Sequence, residues 1–223
     1  MEKFKLFRYS LLAGLMIAIG GTVNLSVENK VVGAFLFSIG LFTVVNQQFA
    51  LFTGRVGDFK LKQPAFLIDL LIIWMGNFAA TVGVGYLLRV TRVASTLSAK
   101  AETLSQAKLN DNPLSIFVLA IFCGIIMYVA VACFRSTENP IGKYAGVFIG
   151  VPVFILCGFE HCVANMFYFS IANAWTWKTF LWLLIMTAGN AVGGLLIPVI
   201  KCNISYKKEK RISVQYKKDN HSK

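Results

Sequence analysis

Polar side chains capable of acid–base chemistry lie deep inside an apolar part of the sequence. Glu160 and His161 are adjacent there, and Asn165 follows within the same apolar run. Ionisable groups are costly in hydrocarbon, so they are expected to face protein or a water-filled cavity and to mark a transport path. The alternative is a kinked packing helix that contains a satisfied structural histidine, and Pro152 alone would support only that.

A second apolar run is interrupted in a similar way. Asn46, Gln47 and Gln48 break it, and apolar residues resume from Leu51 to Gly54. Backbone that leaves a helix at membrane depth must be shielded from lipid, because its free N–H and C=O groups find no water there. Both interrupted runs are therefore predicted to lie inside a bundle.

These two runs belong to a chain built mainly of membrane-spanning segments. Apolar residues make up 57% of the 223 residues and charged residues 14%, against about 25% charged in a soluble domain. A helix needs roughly 20 apolar residues to cross a bilayer. Six spans are predicted, at Ser10–Leu25, Val31–Thr53, Phe66–Arg89, Leu114–Phe134, Tyr144–Ile171 and Thr179–Ile200. One transmembrane domain at 1–203 and a basic tail at 204–223 account for the chain.

The order of the spans suggests an internal repeat. The interrupted spans are the second and the fifth, which hold corresponding places in two three-span halves. Because three is an odd number, the halves would insert in opposite directions, as an inverted 3+3 repeat. A pair of interrupted spans in corresponding places is a pointer to a transport site. Residue-level identity between the halves is not obvious, so this prediction depends on topology alone.

The basic residues predict the orientation. The chain has a net charge of +12, and its basic residues lie between and after the apolar runs. This distribution is typical of a membrane protein and not of a nucleic-acid-binding domain. Lys and Arg are more frequent on the side of the N-terminus, where Arg55, Arg135 and Lys143 fall, than on the side of Lys100 and Lys108. Both termini are expected in the cytoplasm, beneath the cell membrane, with the tail as an anchor near anionic lipid.

Enzymatic chemistry has little support in the sequence. Five cysteines occur without a close Cys-x-x-Cys pair, and only two histidines are present, so neither a metal site nor a cofactor is expected. A Gly-x-Ser-x-Gly elbow is absent, and Asp69 and Glu160 are the only acids within the predicted spans. The protein is predicted not to be an enzyme, and a non-conducting scaffold or sensor stays open beside a transporter.

Several motifs resemble those of the formate/nitrite transporter family. GFEHCVANMFYF, from Gly158 to Phe169, resembles the family's signature. The stretch LFTG at 51–54 is similar to its second-helix break, GNAVGG at 189–194 to its sixth-helix motif, and LLAGLMIAIGG at 11–21 to its first helix. The resemblance implies an all-α, aquaporin-like fold of six transmembrane helices, with the second and fifth broken. It also implies a homopentamer with one pore in each protomer.

The resemblance carries site residues across. It implies a central pore histidine, a threonine in the second-helix break, an asparagine on the sixth helix and a vestibule lysine, which fall at His161, Thr53, Asn190 and Lys108. Lys100 competes for the vestibule position. Apolar narrowings are implied at Leu41, Leu51 and Phe52 on one side and at Phe154 on the other. One departure is Gly124, which follows Cys123 where the family pattern leads us to expect asparagine.

The chemistry implied is the passage of small monovalent anions of weak acids. Formate, nitrite, hydrosulfide and lactate all occur as substrates in the family, and formate or nitrite is placed first here, with hydrosulfide next. A bare ion is strongly disfavoured in an apolar neck, whereas a neutral acid is disfavoured far less. Lysine would attract the anion, which would gain a proton near the pore centre and cross as the acid. The rival within the family is a channel that passes the anion itself.

Overall fold

The computed structural model describes residues 2–59, 63 and 65–221, with side chains described as far as residue 202. Its regular structure is helical, and no strand occurs in this part of the chain. One 3₁₀ turn, Val56–Asp58, follows the third helix. The helices are α1 Glu2–Ser26, α2 Lys30–Asn46, α3 Phe52–Arg55, α4 Ala65–Leu88, α5 Ala94–Leu109, α6 Pro113–Ser136, α7 Pro140–Leu156, α8 Cys162–Ile171 and α9 Trp177–His221.

Four stretches of helix are long and apolar enough to cross a membrane. They are α1, α4, α6 and the part of α9 at Trp177–Cys202, with mean hydropathies of 1.6, 1.8, 2.8 and 2.0. They coincide with the predicted first, third, fourth and sixth spans. Apolar but shorter helices, α2, α7 and α8, occupy most of the other two predicted spans. Beyond Cys202, α9 continues as a helix to His221, so the boundary predicted at 203 stays a prediction.

The sequence analysis predicted no element in the polar segment between the predicted third and fourth spans. This segment forms α5, which runs from Ala94 to Leu109. Leu97, Ala101 and Ser105 are its buried residues, and their spacing of four places them on one face of the helix. The search for spans missed this helix because its apolar face is narrow. The same face periodicity would have revealed it.

In both segments predicted as interrupted spans, the first helix, α2 or α7, ends in the same way. Gln48 and Gly158 have positive φ angles of 55° and 70°. The next residue in each case, Phe49 or Phe159, donates its N–H five residues back, to Val44 O or Phe154 O, at 2.9 Å. A left-handed residue followed by such a bond is a common way to end a helix. The chain therefore turns sharply at two places before α3 and α8 begin.

The long helices pack in two close pairs, α1 with α4 and α6 with α9. Glycine permits the approach in both. A Cβ at Gly14 on α1 would lie 2.7 Å from Asn77 O on α4, and a Cβ at Gly124 on α6 would collide with Asn190 O on α9. Close packing in the α1–α4 pair brings Asn77 near the turn that precedes α3. Close packing in the α6–α9 pair brings Asn190 near the turn that precedes α8.

Candidate functional site

The site centres on a hydrogen bond between the two interrupted spans. Thr53 Oγ1 and His161 Nε2 lie 2.9 Å apart, and only 1% and 2% of these residues is exposed. Thr53 lies in α3, whereas His161 caps α8 by accepting the Ala164 N–H at Nδ1, at 3.1 Å. Because Nδ1 accepts, the neutral imidazole carries its hydrogen on Nε2 and donates it to Thr53 Oγ1. The Thr53 hydroxyl hydrogen is then available to another acceptor.

Asn190 holds the backbone on both sides of His161. Its Oδ1 accepts the Cys162 N–H at 2.9 Å, and its Nδ2 donates to Glu160 O at 2.7 Å and to Ala120 O at 2.8 Å. Asn190 therefore lies next to the backbone of His161. The amide bonds main-chain atoms, however, so its chemistry is to position the turn rather than to present a free group to a substrate.

Asn77 makes the corresponding contacts at the other turn, and the sequence analysis missed it. Its Oδ1 accepts the Phe52 N–H at 2.9 Å, and its Nδ2 donates to Ala50 O at 3.0 Å and to Ser10 O at 2.7 Å. Asparagine inside an apolar span was the available signal, since such a residue is costly in hydrocarbon unless it is bonded. The resemblance supplied only its counterpart, Asn190.

The contacts of the two asparagines repeat at a constant interval along the chain. Ser10 and Ala120, Ala50 and Glu160, and Phe52 and Cys162 each differ by 110 in residue number. The two positive-φ residues, Gln48 and Gly158, and the two helix-capping residues, Asn29 and Asn139, differ by the same amount. At this interval the counterpart of His161 is Leu51.

Glu160 forms a buried ion pair with one of the predicted lysines. Lys108 Nζ lies 2.7 Å from Glu160 Oε2 and 2.9 Å from Oε1, with side chains that are 15% and 4% exposed. Asn165 Nδ2 donates to the same carboxylate at 2.7 Å. The sequence analysis gave Glu160 no such partner. Lys100, the competitor of Lys108, donates instead to Val27 O at 3.2 Å.

Two cavities, each of about 400 Å³, lie beside this centre. We call the first the lysine-side cavity, whose walls include Lys100, Lys108, Phe154, His161 and Asn165. We call the second the arginine-side cavity, whose walls include Leu41, Leu51, Arg55, Arg135 and Lys143. Their linings share no residue. The buried contact between Thr53 and His161 therefore lies between two separate cavities, each lined by basic side chains.

The four apolar residues predicted to form narrowings do not all face these cavities. Leu41 and Leu51 line the arginine-side cavity, and both are almost wholly buried. Phe154 lines the lysine-side cavity and stacks on the His161 ring, with ring centres 5.5 Å apart. Phe52 lines a third, apolar cavity between α4 and α9. Phe52 therefore lines neither of the two cavities beside Thr53 and His161.

The departure at Gly124 has a packing explanation. The glycine faces the backbone of α9 at Asn190 and Gly194, with no space for a Cβ. An asparagine there would separate α6 from α9 and would disturb the contacts of Asn190. Cys123, the preceding residue, is buried and free. Within the part of the chain that the structure describes, no cluster of three metal-binding side chains occurs.

The comparisons with known proteins agree with this architecture. The family described as Formate/nitrite transporter matches residues 1–202. The uncharacterized transporter YrhG of Bacillus subtilis (strain 168) is 27% identical, over 95% of this chain and 90% of that protein. A probable formate transporter of Methanothermobacter thermautotrophicus is also 27% identical, over 92% of this chain and 90% of its own length. Among solved structures, a pentameric formate channel with formate bound is similar with a TM-score of 0.80 at 23% identity, covering 92% of this chain and 98% of that one.

Four helices long and apolar enough to cross a membrane, in a fold similar to that of a solved channel, are typical of a multi-pass membrane protein. The chain belongs to the formate/nitrite transporter family, as the match over residues 1–202 shows. Members of this family are channels and transporters and not enzymes.

Proposed function

We propose that the protein is a channel for small monovalent anions of weak acids, with formate or nitrite as the first candidates. The observation that carries this proposal is the buried contact between Thr53 and His161, flanked by two cavities with basic walls. The relatives named as formate transporters and the neighbour that has formate bound support the choice of anion.

The architecture that goes with this function is an inverted 3+3 repeat of six spans. In it, α2 with α3 and α7 with α8 are the broken second and fifth spans. The matched contacts of Asn77 and Asn190 support this arrangement. Each asparagine bonds the main chain just before and just after the central residue of one break, Leu51 or His161. Irregular backbone at membrane depth needs such partners.

The orientation and the assembly are also proposals. Both termini are cytoplasmic, and the protein lies in the cell membrane. The separation of basic residues supports this orientation, since Arg55, Arg135 and Lys143 meet in one cavity and Lys100 and Lys108 in the other. Five protomers assemble with one pore in each, and the similarity to a pentameric formate channel supports that number.

The path then runs from one cavity to the other past Phe154, His161, Thr53, Leu51 and Leu41. Basic side chains attract the anion to either mouth. The apolar residues beyond exclude it in charged form, because a bare ion loses its hydration there. The anion therefore gains a proton in the centre and crosses as the neutral acid.

The geometry bears on the source of that proton. His161 Nδ1 already accepts a backbone N–H from Ala164. A second proton on the ring would displace that bond, which holds the start of α8. We therefore assign His161 to orienting Thr53, whose free hydroxyl hydrogen donates to the crossing species. The proton comes from hydronium in the bulk solution through water in the cavities, so that it crosses together with the anion and no hydroxide is left behind.

The test is flux in proteoliposomes with formate, nitrite, hydrosulfide and lactate offered in turn. The internal pH and the membrane potential are recorded together. Inward passage of a neutral acid acidifies the interior without developing a potential. Flux that carries net charge with no proton movement would reject the neutral-acid route, and a preference for hydrosulfide would name a different substrate of the same class.

Variants of the central pair test the roles of its two members. Thr53→Val removes the hydroxyl at nearly constant shape, and Thr53→Ser keeps it as the matched control. We expect Val to reduce flux by about tenfold or more, as one transition-state hydrogen bond does elsewhere, and Ser to retain most of it. Wild-type protein that binds no anion and passes none would favour the scaffold or sensor instead.

A further inference from the structure

Three basic residues line each cavity, but the lining of the arginine-side cavity has the larger net positive charge, because Glu28 lines only the lysine-side cavity. Arg55, Arg135 and Lys143 all line the arginine-side cavity. Asp58 is the acid paired with this group, since its carboxylate accepts from Arg135 Nη1 at 2.9 and 3.0 Å. It also lies 3.7 Å from Arg55 Nε. One carboxylate thus pairs with two of the three cations that line this cavity.

The lysine-side cavity differs in this respect. Lys108 points to Glu160, which compensates its charge at 2.7 Å. Glu28 also lines that cavity, beside Lys30 and Lys100. Because acidic residues offset more of the positive charge at the lysine-side cavity, the arginine-side cavity is expected to attract an anion more strongly.

Arg55 has hydrogen-bonding capacity that no other group in the described residues uses. Its Nε is buried and has no hydrogen-bond partner there. Arg55 is the last residue of α3 and follows Thr53 by two residues in the sequence. A buried N–H group without an acceptor is costly. The Arg55 side chain as a whole is 39% exposed, so its terminal N–H groups are available to water or a ligand.

We propose that the arginine-side cavity is a binding site for planar anions with two oxygens, at which Arg55 receives the anion while Asp58 fixes Arg135 beside it. The proposal rests on the proposed function, because it supplies the channel with an anion at the mouth next to Leu41 and Leu51. A guanidinium group offers parallel N–H donors that match the two oxygens of formate or nitrite. Chloride and hydrosulfide have one acceptor atom and gain only the charge attraction.

The cavity's charge can be measured without relying on conduction. Val45, which lines the cavity from α2, is replaced as Val45→Cys in the full-length protein. Reaction rates with an anionic and a cationic methanethiosulfonate reagent are followed at that residue by peptide mass spectrometry. Thr103→Cys, which lines the lysine-side cavity, is the matched reference position.

We expect the anionic reagent to be favoured at position 45 relative to position 103. Arg55→Gln or Arg135→Gln should lower the ratio of anionic to cationic rates by about two- to fivefold, as removal of a partly exposed charge does. Asp58→Asn should raise it. Arg92→Gln, which removes an exposed charge outside both cavities, should leave the ratio unchanged.

Protection and flux test the binding itself. Sodium formate should slow modification at position 45 more than sodium chloride of the same ionic strength does. Arg55→Gln should abolish this difference and raise the half-saturation concentration for formate flux by about two- to fivefold. Arg92→Gln should change neither.

The outcomes separate this proposal from the proposed function. The anion site is overturned, even if formate is transported, by either of two results. One is a ratio of rates at position 45 that does not change in Arg55→Gln or Arg135→Gln, and the other is equal protection by formate and chloride. Formate-specific protection that depends on Arg55, in a protein that passes no anion, supports the site and rejects the channel.

Discussion

The two breaks in the bundle share their backbone geometry and differ in their chemistry. Asn77 and Asn190 bond equivalent main-chain atoms, at intervals of 110 residues. Between those atoms, one break carries Leu51 and the other His161. The side chain preceding each is Ala50 in one case and Glu160 in the other. Similar backbone contacts thus hold an apolar side chain at one turn and a polar side chain at the other.

The largest effect is expected at the two asparagines. Asn190→Ala leaves Cys162 N–H and the carbonyls of Glu160 and Ala120 without their partner in a buried place. We expect a loss of about 4 kcal/mol in the free energy of unfolding, because each unsatisfied group costs about 1–3 kcal/mol. Asn77→Ala should cost the same. Titration with a denaturing detergent measures both.

Exposed Asn46 is the matched control, since its amide donates to Phe42 O at the end of α2. Asn46→Ala should change stability by less than about 1 kcal/mol. If Asn77→Ala proved as mild as this control while Asn190→Ala did not, the two breaks would not be held in the same way.

The second largest loss of stability is expected when the ion pair between Lys108 and Glu160 is broken. Lys108→Gln leaves the carboxylate of Glu160 buried with Asn165 as its partner. Removing one member of a buried pair costs about 3 kcal/mol. The same detergent titration should show that Lys108→Gln combined with Glu160→Gln is less damaging than Lys108→Gln alone. A double variant as unstable as the sum of the two single variants would argue against direct coupling.

The helix contacts next to the asparagines come third. Gly124→Ala places a methyl group against Asn190 O, where no space exists. We expect a loss of about 2 kcal/mol from overpacking. Gly83→Ala is the control within a helix, because no atom lies within 4 Å of its Cβ position. It should stabilise the protein by about 0.5–1 kcal/mol, and a similar loss at both glycines would contradict the packing argument.

The smallest effect concerns the residues with positive φ. Gln48 adopts a left-handed conformation that favours glycine, and Gly158 already meets this preference. Gln48→Gly should therefore stabilise the protein by up to about 1 kcal/mol, and Gly158→Ala should destabilise it by about as much. Effects of the same sign at both positions would mean that the two turns are not equivalent.

Much of the fold was predictable from the apolar runs. Four of the six predicted spans coincide with helices that are long enough to cross a membrane. The two interruptions were also visible, because Asn46, Gln47 and Gln48 and the pair Glu160–His161 stand out in apolar surroundings. The helix α5 was not predicted, since attention to long apolar runs passes over a polar helix with a narrow buried face.

The site was only partly predictable. Thr53 and His161 share a hydrogen bond, and Asn190 bonds the backbone on both sides of His161. Asn77 was overlooked, although it bonds the break that contains Thr53. The pairing of Lys108 with Glu160, and not of Lys100, depends on how α5 lies against α8, and residue spacing along the chain does not reveal that.

Residue type and local order decided where apolar segments run and where polar groups interrupt them, because the cost of placing a polar group in hydrocarbon is a property of the group itself. Helix packing decided which main-chain atoms Asn77 and Asn190 bond and which lysine meets Glu160. It also decided that Arg55, Arg135 and Lys143 share one cavity. Such contacts join residues far apart in the chain, and only the packed bundle brings their atoms within hydrogen-bonding distance.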